Sequence, residues 1–336
     1  MIKSTTFVNI IFLVATYFIY LTYSPFLVDI AIAVLLTVAL FDIENFFYTK
    51  TNNKYFSSAL VSLFLALLLF TPLVYFFFGV ADLIHNITPE AIKDVLEKAK
   101  TLLGYLPDVL SSKLQTFLAG DNIQSIYNGV AKTLGSLTAK SAVFIKDMML
   151  IIIFVFFANL YGKDMLRFLQ NISPLEKTKG EKLFKDTREV MGLVFYSTIV
   201  TAIFEGLLFG IFVQFYGFDG LFFTVMYAFA SLVPVIGGAI MWVPMSLYLY
   251  AKGDSGSALQ IALYSVVVIS IVADTFIKPW IIKIIKTKLG DNIKLNELLI
   301  FFSIVAGLSS FGFWGVVLGP AITSIFISIL KFYNKV

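Results

Sequence analysis

The chain has 336 residues, of which 59% are hydrophobic and only 14% are charged, and its mean hydropathy is +0.91. A soluble chain of this length needs far more polar surface to cover itself, so a soluble globular protein is excluded. Several apolar runs reach the roughly 20 residues that a helix needs to cross a bilayer, and evenly spaced alternating strands are absent. The composition therefore predicts an all-α polytopic membrane protein. The net charge of +4 adds little, because such proteins collect basic residues on one side.

Missing residue types exclude several chemistries. The sequence has no cysteine, which excludes disulfides, thiolate nucleophiles and cysteine-ligated metals. Its only histidine, His85, has no metal-ligand cluster around it in the sequence. There is no Walker loop, no HExxH motif and no Ser-His-Asp set, and no soluble basic domain. We therefore expect no enzyme activity, no cofactor, no metal and no nucleic-acid partner.

Four candidate spans lie in the first half of the chain. They cover about 6–23, 25–43, 55–79 and 142–161. Between the third and fourth, residues 81–140 have a weaker, amphipathic helical pattern with six lysines and six acids, which is typical of a helical domain outside the hydrocarbon. A fifth span at about 191–216 follows a basic segment.

Basic residues orient these spans. Lys50, Lys54 and the segment 162–189, with seven Lys/Arg against five acids, lie on one side if the first four spans alternate. The positive-inside rule makes that side cytoplasmic. Residues 81–140 then lie outside the cell, and the N-terminus lies inside.

The stretch 220–250 is apolar over 31 residues, with proline and paired glycines at its centre, ASLVPVIGG. A straight helix of that length is about 46 Å long, against roughly 30 Å of hydrocarbon. A single crossing also places 278–294, with five lysines and one acid, outside the cell, against the positive-inside rule. Both difficulties disappear if 220–250 is a re-entrant hairpin that enters and leaves by the outer face.

The stretch 298–330 is likewise apolar over 33 residues, and its centre, AGLSSFGFWGVVLGP, is rich in glycine and other small residues. We predict a second re-entrant hairpin there, from the inner face. The span at 191–216 with the first hairpin, and a span at 257–281 with the second, then form an inverted repeat. Broken helices that meet near the membrane centre in such repeats are the architecture of secondary transporters. Two kinked or strongly tilted helices are the alternative.

The prediction is thus about six full transmembrane helices plus two re-entrant hairpins, in four parts. Residues 1–80 are scaffold spans, and 81–140 are the extracytoplasmic amphipathic helical domain. Residues 141–189 hold span four and a cytoplasmic basic helix. Residues 190–336 form the transport region.

Two carboxylates lie inside predicted spans, at matching places in the proposed repeats. An ionisable group in hydrocarbon costs roughly 2.5–3.5 kcal/mol on insertion scales, and so usually faces a cavity or a partner. Glu205 has no basic residue nearby on its own helix, which favours a cation- or proton-coupling role. For Asp274, a coupling role and an intrahelical pair with Lys278, four residues later, are equally favoured.

The hairpin tips are the second kind of candidate site. A helix break leaves amides unbonded at one terminus and carbonyls at the other, so it binds a polar solute without a charged side chain. The substrate-binding candidates are Ser231, Pro234, Gly237, Gly238, Ser309, Ser310 and Gly312. The alternative is that the glycines serve close helix packing, which fits Gly315 and Gly319 better.

Several motifs together resemble the AI-2E family of bacterial transporters, over essentially the whole chain. They are PVIGG at 234–238 followed by Pro244, then Gly253, Asp274 with Lys278-Pro279, and AGLSSFGFWGVVLGP at 306–320. Relatives often have Asp-Asn where this chain has Asp274-Thr275, and a glycine pair where it has Ala306-Gly307. These departures weaken the transfer of a ligand set, and the fold assignment is unaffected.

The resemblance implies a multi-pass transporter of the bacterial cytoplasmic membrane, surrounded by lipid and forming a homo-oligomer, for which a pentamer is one candidate. It also implies an elevator-like movement of a transport domain against a fixed scaffold. Some relatives look like exporters of autoinducer-2, a small polyhydroxylated solute, and others like sodium/proton antiporters. We expect export of a small polar solute such as autoinducer-2. Cation/proton antiport and a non-transporting scaffold or channel-like assembly stay open as alternatives.

Overall fold

The computed structural model is helical in both halves of the chain. It describes residues 4–86, 123–172, 177–233, 237–289 and 297–333. The first half comprises α1 (Ser4–Tyr23), α2 (Leu27–Ala39), α3 (Phe41–Thr51), α4 (Lys54–Asn86) and α5 (Ile123–Ile172). The predicted extracytoplasmic domain at 81–140 lies mostly outside the described residues, and its last part, from Ile123, belongs to the long helix α5.

The second half begins with a helix that continues the predicted basic segment into the membrane. Its elements are α6 (Lys177–Gln214), α7 (Gly220–Ala230), α8 (Gly237–Ala251), α9 (Ser255–Tyr264), the π-helical segment Ser265–Ile277, α10 (Lys278–Leu289), α11 (Glu297–Phe311) and α12 (Gly315–Tyr333). The described residues contain no strand. Six described stretches are long and apolar enough to cross a membrane. The all-α polytopic fold is therefore confirmed.

The junction of the first two predicted spans differs from its prediction. The sequence predicts two crossings joined by a tight turn at Tyr23-Ser24-Pro25. The structure places a single 3-10 turn there, Ser24–Phe26, and Thr5–Ala39 forms one 35-residue helical run. Proline fits the first position of a helical turn, because its missing N–H has no partner there in any case. The described side chains of α1 are all exposed, so α1 does not pack back onto α2.

Contacts between charged and aromatic side chains define the directions of the helices. Near the end of α2, Glu44 of α3 lies 3.9 Å from Lys163 of α5, and Asp29 at the start of α2 lies within electrostatic range of Asp147 of α5. Helices α2 and α5 are therefore parallel. We call the two ends of the bundle the Glu44 end and the Asp29 end. Helix α4 runs the opposite way, since Lys54 at its start lies over the ring of Tyr161.

An ion pair attaches α6 to α3 at the Glu44 end. Arg188 of α6 contacts the carboxylate of Asp42, and its guanidinium lies 4.1 Å from the ring centroid of Phe41. Phe184 packs edge-on against the same ring at 6.4 Å. Because guanidinium groups stack on aromatic faces and pair with carboxylates at once, this contact fixes the start of α6 against the scaffold. The other end of α6, at Gln214, therefore lies at the Asp29 end.

Helices α7 and α8 form an antiparallel pair, which we call the first helix pair. At its broken end, a Cβ on Gly238 would lie against the hydroxyl of Tyr227, so the two helices approach closely there. At the other end, the rings of Phe218 and Tyr248 lie 6.4 Å apart. The stretch 220–250 thus folds back on itself instead of running straight.

Helices α11 and α12 form the second helix pair. Its turn is the 3-10 segment Gly312–Trp314, where Gly312 has a φ of +60° that side chains rarely adopt. A Cβ on Gly315 would overlap the backbone of Gly307, and a Cβ on Gly319 would overlap the carbonyl of Ser303. Small residues therefore let the two backbones touch, as helices in membranes often do. The packing role expected for Gly315 and Gly319 agrees with this geometry.

The two pairs come from opposite ends of the bundle and meet at their tips. Phe222, near the start of α7, lies 6.5 Å from Tyr75 of α4 at the Asp29 end. Ala321 of α12 packs in a buried cluster with Ala39 at the far end of α2, so α12 leads toward the Glu44 end. At the tips, Phe229 stacks on Phe313 at 5.4 Å. How deeply each pair enters a membrane, and whether they form an inverted repeat, stay predictions.

The glycine contact in the second pair makes a stability prediction. We expect Gly315→Ala to destabilise the protein by about 1–3 kcal/mol, because the new methyl group must push two backbones apart. Gly162→Ala is the matched control, since a Cβ there meets nothing within 4 Å. It should be neutral or stabilising by up to about 1 kcal/mol. Thermal unfolding in detergent measures both, and a Gly315→Ala protein as stable as the Gly162→Ala protein would contradict the packing.

The turn between α8 and α9 tests the orientation of the second half. Ser255 is exposed there, and the chain has no native cysteine, so Ser255→Cys provides one labelling site. We expect an impermeant thiol reagent to label it in intact cells. Thr49→Cys, at the exposed Glu44 end, should react only after the cells are opened. Labelling of Ser255→Cys from the cytoplasm alone would rule out the predicted hairpin topology.

Candidate functional site

The tips of the two helix pairs line a partly open cavity of about 60 Å³ together with α2, α4 and α6. The first tip contributes Leu232, and the second contributes Phe313 and Trp314. Leu36 and Leu65 close it from the scaffold side, and most other lining residues are also aliphatic. The tips therefore meet at an apolar chamber and not at a polar one.

Among the side chains that line this cavity, Trp314 is the one with a buried N–H group. Its side chain is only 8% exposed, and no described atom accepts a hydrogen bond from its Nε1. Phe144 and Phe313 pack around its ring, at 5.8 and 5.3 Å between centroids. A buried donor without an acceptor costs about 1–3 kcal/mol, so this nitrogen destabilises the packing of the second tip.

The predicted candidates of the first tip serve the packing of the pair itself. The hydroxyl of Ser231 donates to the carbonyl of Ala228 at 3.1 Å, within its own helix. Gly237 and Gly238 lie against α7, where a Cβ would overlap Ala230 and Tyr227. Pro234 lies outside the described residues.

The predicted candidates of the second tip lie on its surface. Ser309, Ser310 and Gly312 are exposed, and none of them lines the cavity. The structure therefore does not gather the tip candidates around one chamber, and their role in binding stays a prediction. The sequence reasoning looked for polar tips and so passed over Leu232, Phe313 and Trp314. The aromatic pair directly after Gly312 was the available signal.

Glu205 lies in the middle of α6 and is only 8% exposed. Phe209, one turn later on the same face of the helix, stacks on Tyr227 of α7 at 4.5 Å. The hydroxyl of Tyr264 donates to the carbonyl of Leu208 at 3.1 Å, which joins α9 to α6. The π-helical segment that continues α9 also contacts α6.

Asp274 belongs to that π-helical segment, although its side chain lies outside the described residues. The wider helix turn is visible in the hydroxyl of Ser270, which donates to the carbonyl of Ser265, five residues back, at 3.2 Å. Long π-helical stretches are rare, and π geometry is frequent at functional sites. Both predicted carboxylates thus lie on the paired elements α6 and Ser265–Ile277. Lys278, the first residue of α10, is exposed.

A polytopic helical protein with two broken helix pairs that meet at a cavity falls into the class of membrane transporters. The comparison with known proteins agrees with this class. Residues 7–335 match the family described as AI-2E family transporter, and the chain belongs to this family.

Its relatives include proteins named only as candidate transport proteins. One from Helicobacter pylori strain 26695 is 33% identical over 350 residues, covering 99% of this chain and 97% of the relative. Another, from Aquifex aeolicus, is 28% identical over 264 residues, covering 76% of this chain and 70% of the relative.

The cavity wall makes a second stability prediction. Leu65 of α4 is fully buried at the cavity, and Leu67 of the same helix is 60% exposed. We expect Leu65→Ala to destabilise by about 2 kcal/mol, the low end for buried leucines, because lipid replaces water as the solvent of the unfolded helices. Leu67→Ala should change stability by less than about 0.5 kcal/mol. Equal effects in detergent unfolding would contradict the assignment of Leu65 to the packed wall.

Proposed function

We propose that the protein is a secondary transporter of the bacterial cytoplasmic membrane that exports a small polar solute such as autoinducer-2. The observation that carries this proposal is the meeting of the two helix pairs, which come from opposite ends of the bundle and contact each other at their tips through Phe229 and Phe313. Such an arrangement supports alternating access, because a small displacement of the pairs opens the tip region toward one end or the other.

An elevator-like movement is the mechanism we infer. Helices α2, α4 and α5 pack as one buried core, and Trp314 and Leu318 of the second helix pair belong to the same core. The first helix pair packs mainly on α6 and α9, in a separate core. We infer that the first helix pair is the unit that moves, against a fixed part that includes the second pair. The exposed side chains of α1 provide a surface for lipid or for another copy in a homo-oligomer.

The orientation follows from the charges at the Glu44 end. Lys50, Lys54, Lys163 and Lys283 lie exposed there. By the positive-inside rule this end faces the cytoplasm, together with the end of α12. The N-terminus, expected inside from the sequence, instead extends from the Asp29 end, because α1 continues α2 as one helical run.

Cation/proton antiport is the second candidate, and the burial of Glu205 favours it. Carboxylates inside transmembrane helices are rare and often mark ion or proton pathways. Asp274 lies on the π-helical segment, which contacts α6. In the exporter, these groups would couple solute flux to the proton gradient. In the antiporter, they would bind the transported ion directly.

Purified protein in proteoliposomes separates these possibilities. We expect saturable autoinducer-2 flux that Glu205→Gln abolishes, because the variant removes the titrating group while keeping the side-chain shape. Asp254→Asn is the matched control. Asp254 is an exposed helix cap whose pKa is lowered by hydrogen bonds from Ser257, and asparagine caps equally well. Its flux should equal that of the wild type.

The alternatives give different results in the same assay. Sodium-driven pH changes without autoinducer-2 flux, lost in Glu205→Gln or Asp274→Asn, would establish the antiporter instead. Autoinducer-2 flux that survives both substitutions would establish an uncoupled exporter. Absence of any flux in folded protein would leave a scaffold or channel-like assembly.

A further inference from the structure

We propose that α10 is a binding surface for anionic phospholipid headgroups at the cytoplasmic face of the membrane. This inference concerns a surface away from the tips and does not rest on the transported solute. It is carried by three observations on Lys278–Leu289: its depth, the composition of its exposed face and its charge.

The depth follows from helix length. The continuous run Ser255–Thr287 has 33 residues. Residues of an α-helix rise about 1.5 Å each, and those of the wider π-helical turns in Ser265–Ile277 rise less. A run that starts at the α8–α9 turn therefore crosses roughly 30 Å of hydrocarbon close to the start of α10. Trp280 and Lys283 then lie within the first two turns beyond that edge, which is the region of the headgroups.

The exposed face of α10 is both aromatic and apolar. Trp280 is 63% exposed, Ile284 is 40% exposed, and Phe276 just before the helix is 67% exposed. The opposite face is covered, because α10 packs against α6 and buries Ile281. Large apolar side chains facing outward next to lysines are typical of helices that lie at the lipid–water boundary, where tryptophan is also enriched.

The charge of α10 selects the kind of lipid. Residues 278–289, KPWIIKIIKTKL, contain four lysines and no acid. Lys283 is exposed on the same side as Trp280, and the lysine stems of such a helix reach toward phosphate oxygens. Anionic lipids attract each lysine near the surface strongly enough for a roughly fivefold change in affinity. A protein partner would have to displace the headgroups at this depth, so anionic lipid is the occupant that fits.

Tryptophan fluorescence tests the proposal directly, because the chain has only three tryptophans. A Trp242→Phe, Trp314→Phe variant of the full chain reports on Trp280 alone in lipid nanodiscs. We expect phosphatidylglycerol brominated near the headgroup to quench Trp280 more than brominated phosphatidylcholine at equal mole fraction. The preference should weaken with salt. Lys283→Gln should weaken it about fivefold, and Lys283→Glu should abolish it.

Two controls keep the result specific. A chain that retains only Trp314, which is 8% exposed, should show no difference between the two lipids. Lys252→Gln removes a lysine from the Asp29 end, where its ammonium lies over Tyr248, and should leave the preference at Trp280 unchanged. Equal quenching of Trp280 by both lipids in the variant with native lysines would overturn the proposal, as would a preference that Lys283→Glu leaves intact.

Discussion

The aromatic contact between Phe229 and Phe313 is the interaction through which the two helix pairs meet. It joins the tips of two helix pairs that enter the bundle from opposite ends. A break in a helix leaves backbone groups without partners, and such groups are tolerated in a membrane only where protein surrounds them. The tips supply that surrounding for each other, and the scaffold helices α2 and α4 complete it around the apolar cavity.

Glycine residues determine how closely neighbouring helices pack. In the second pair, Gly307 and Gly315 bring two backbones into contact, and beside the first helix pair Gly206 and Gly210 do the same between α6 and α7. Helices in lipid gain little from hydrophobic burial, so the close approach that small residues allow is the main source of their association. The contacts of Gly206 and Gly210 also hold α6 and α7 closely together.

Charged contacts at the Glu44 end hold the start of α6 in place. At the Glu44 end, Arg188 attaches α6 to α3 through Asp42 and Phe41, and the lysines of α10 extend the same basic surface. The start of α6 is therefore held at one face of the membrane. The middle of α6, which carries the buried Glu205, packs against α7 of the first helix pair. Helix α6 therefore extends from the membrane surface, where its start is held, to the helices of the candidate site.

Sequence alone determined the all-α membrane fold, because composition and the length of apolar runs are properties of the chain itself. It also predicted that 220–250 and 298–330 fold back. Each of these apolar runs is too long for one straight crossing of the bilayer, and a single crossing by 220–250 would place the lysines of 278–294 outside the cell. It failed at Tyr23-Ser24-Pro25, where proline is equally compatible with a turn and with a helix that continues.

The character of the candidate site was decided by the tertiary structure. Ser231 satisfies its hydroxyl within its own helix, and Gly237 and Gly238 pack against α7, although in the sequence they resemble an exposed polar tip. The apolar chamber exists only because Leu65 and Trp314, some 250 positions apart in the chain, are brought together by packing. A local pattern shows which groups a break exposes, but the neighbouring helices decide whether those groups face a cavity, lipid or one another.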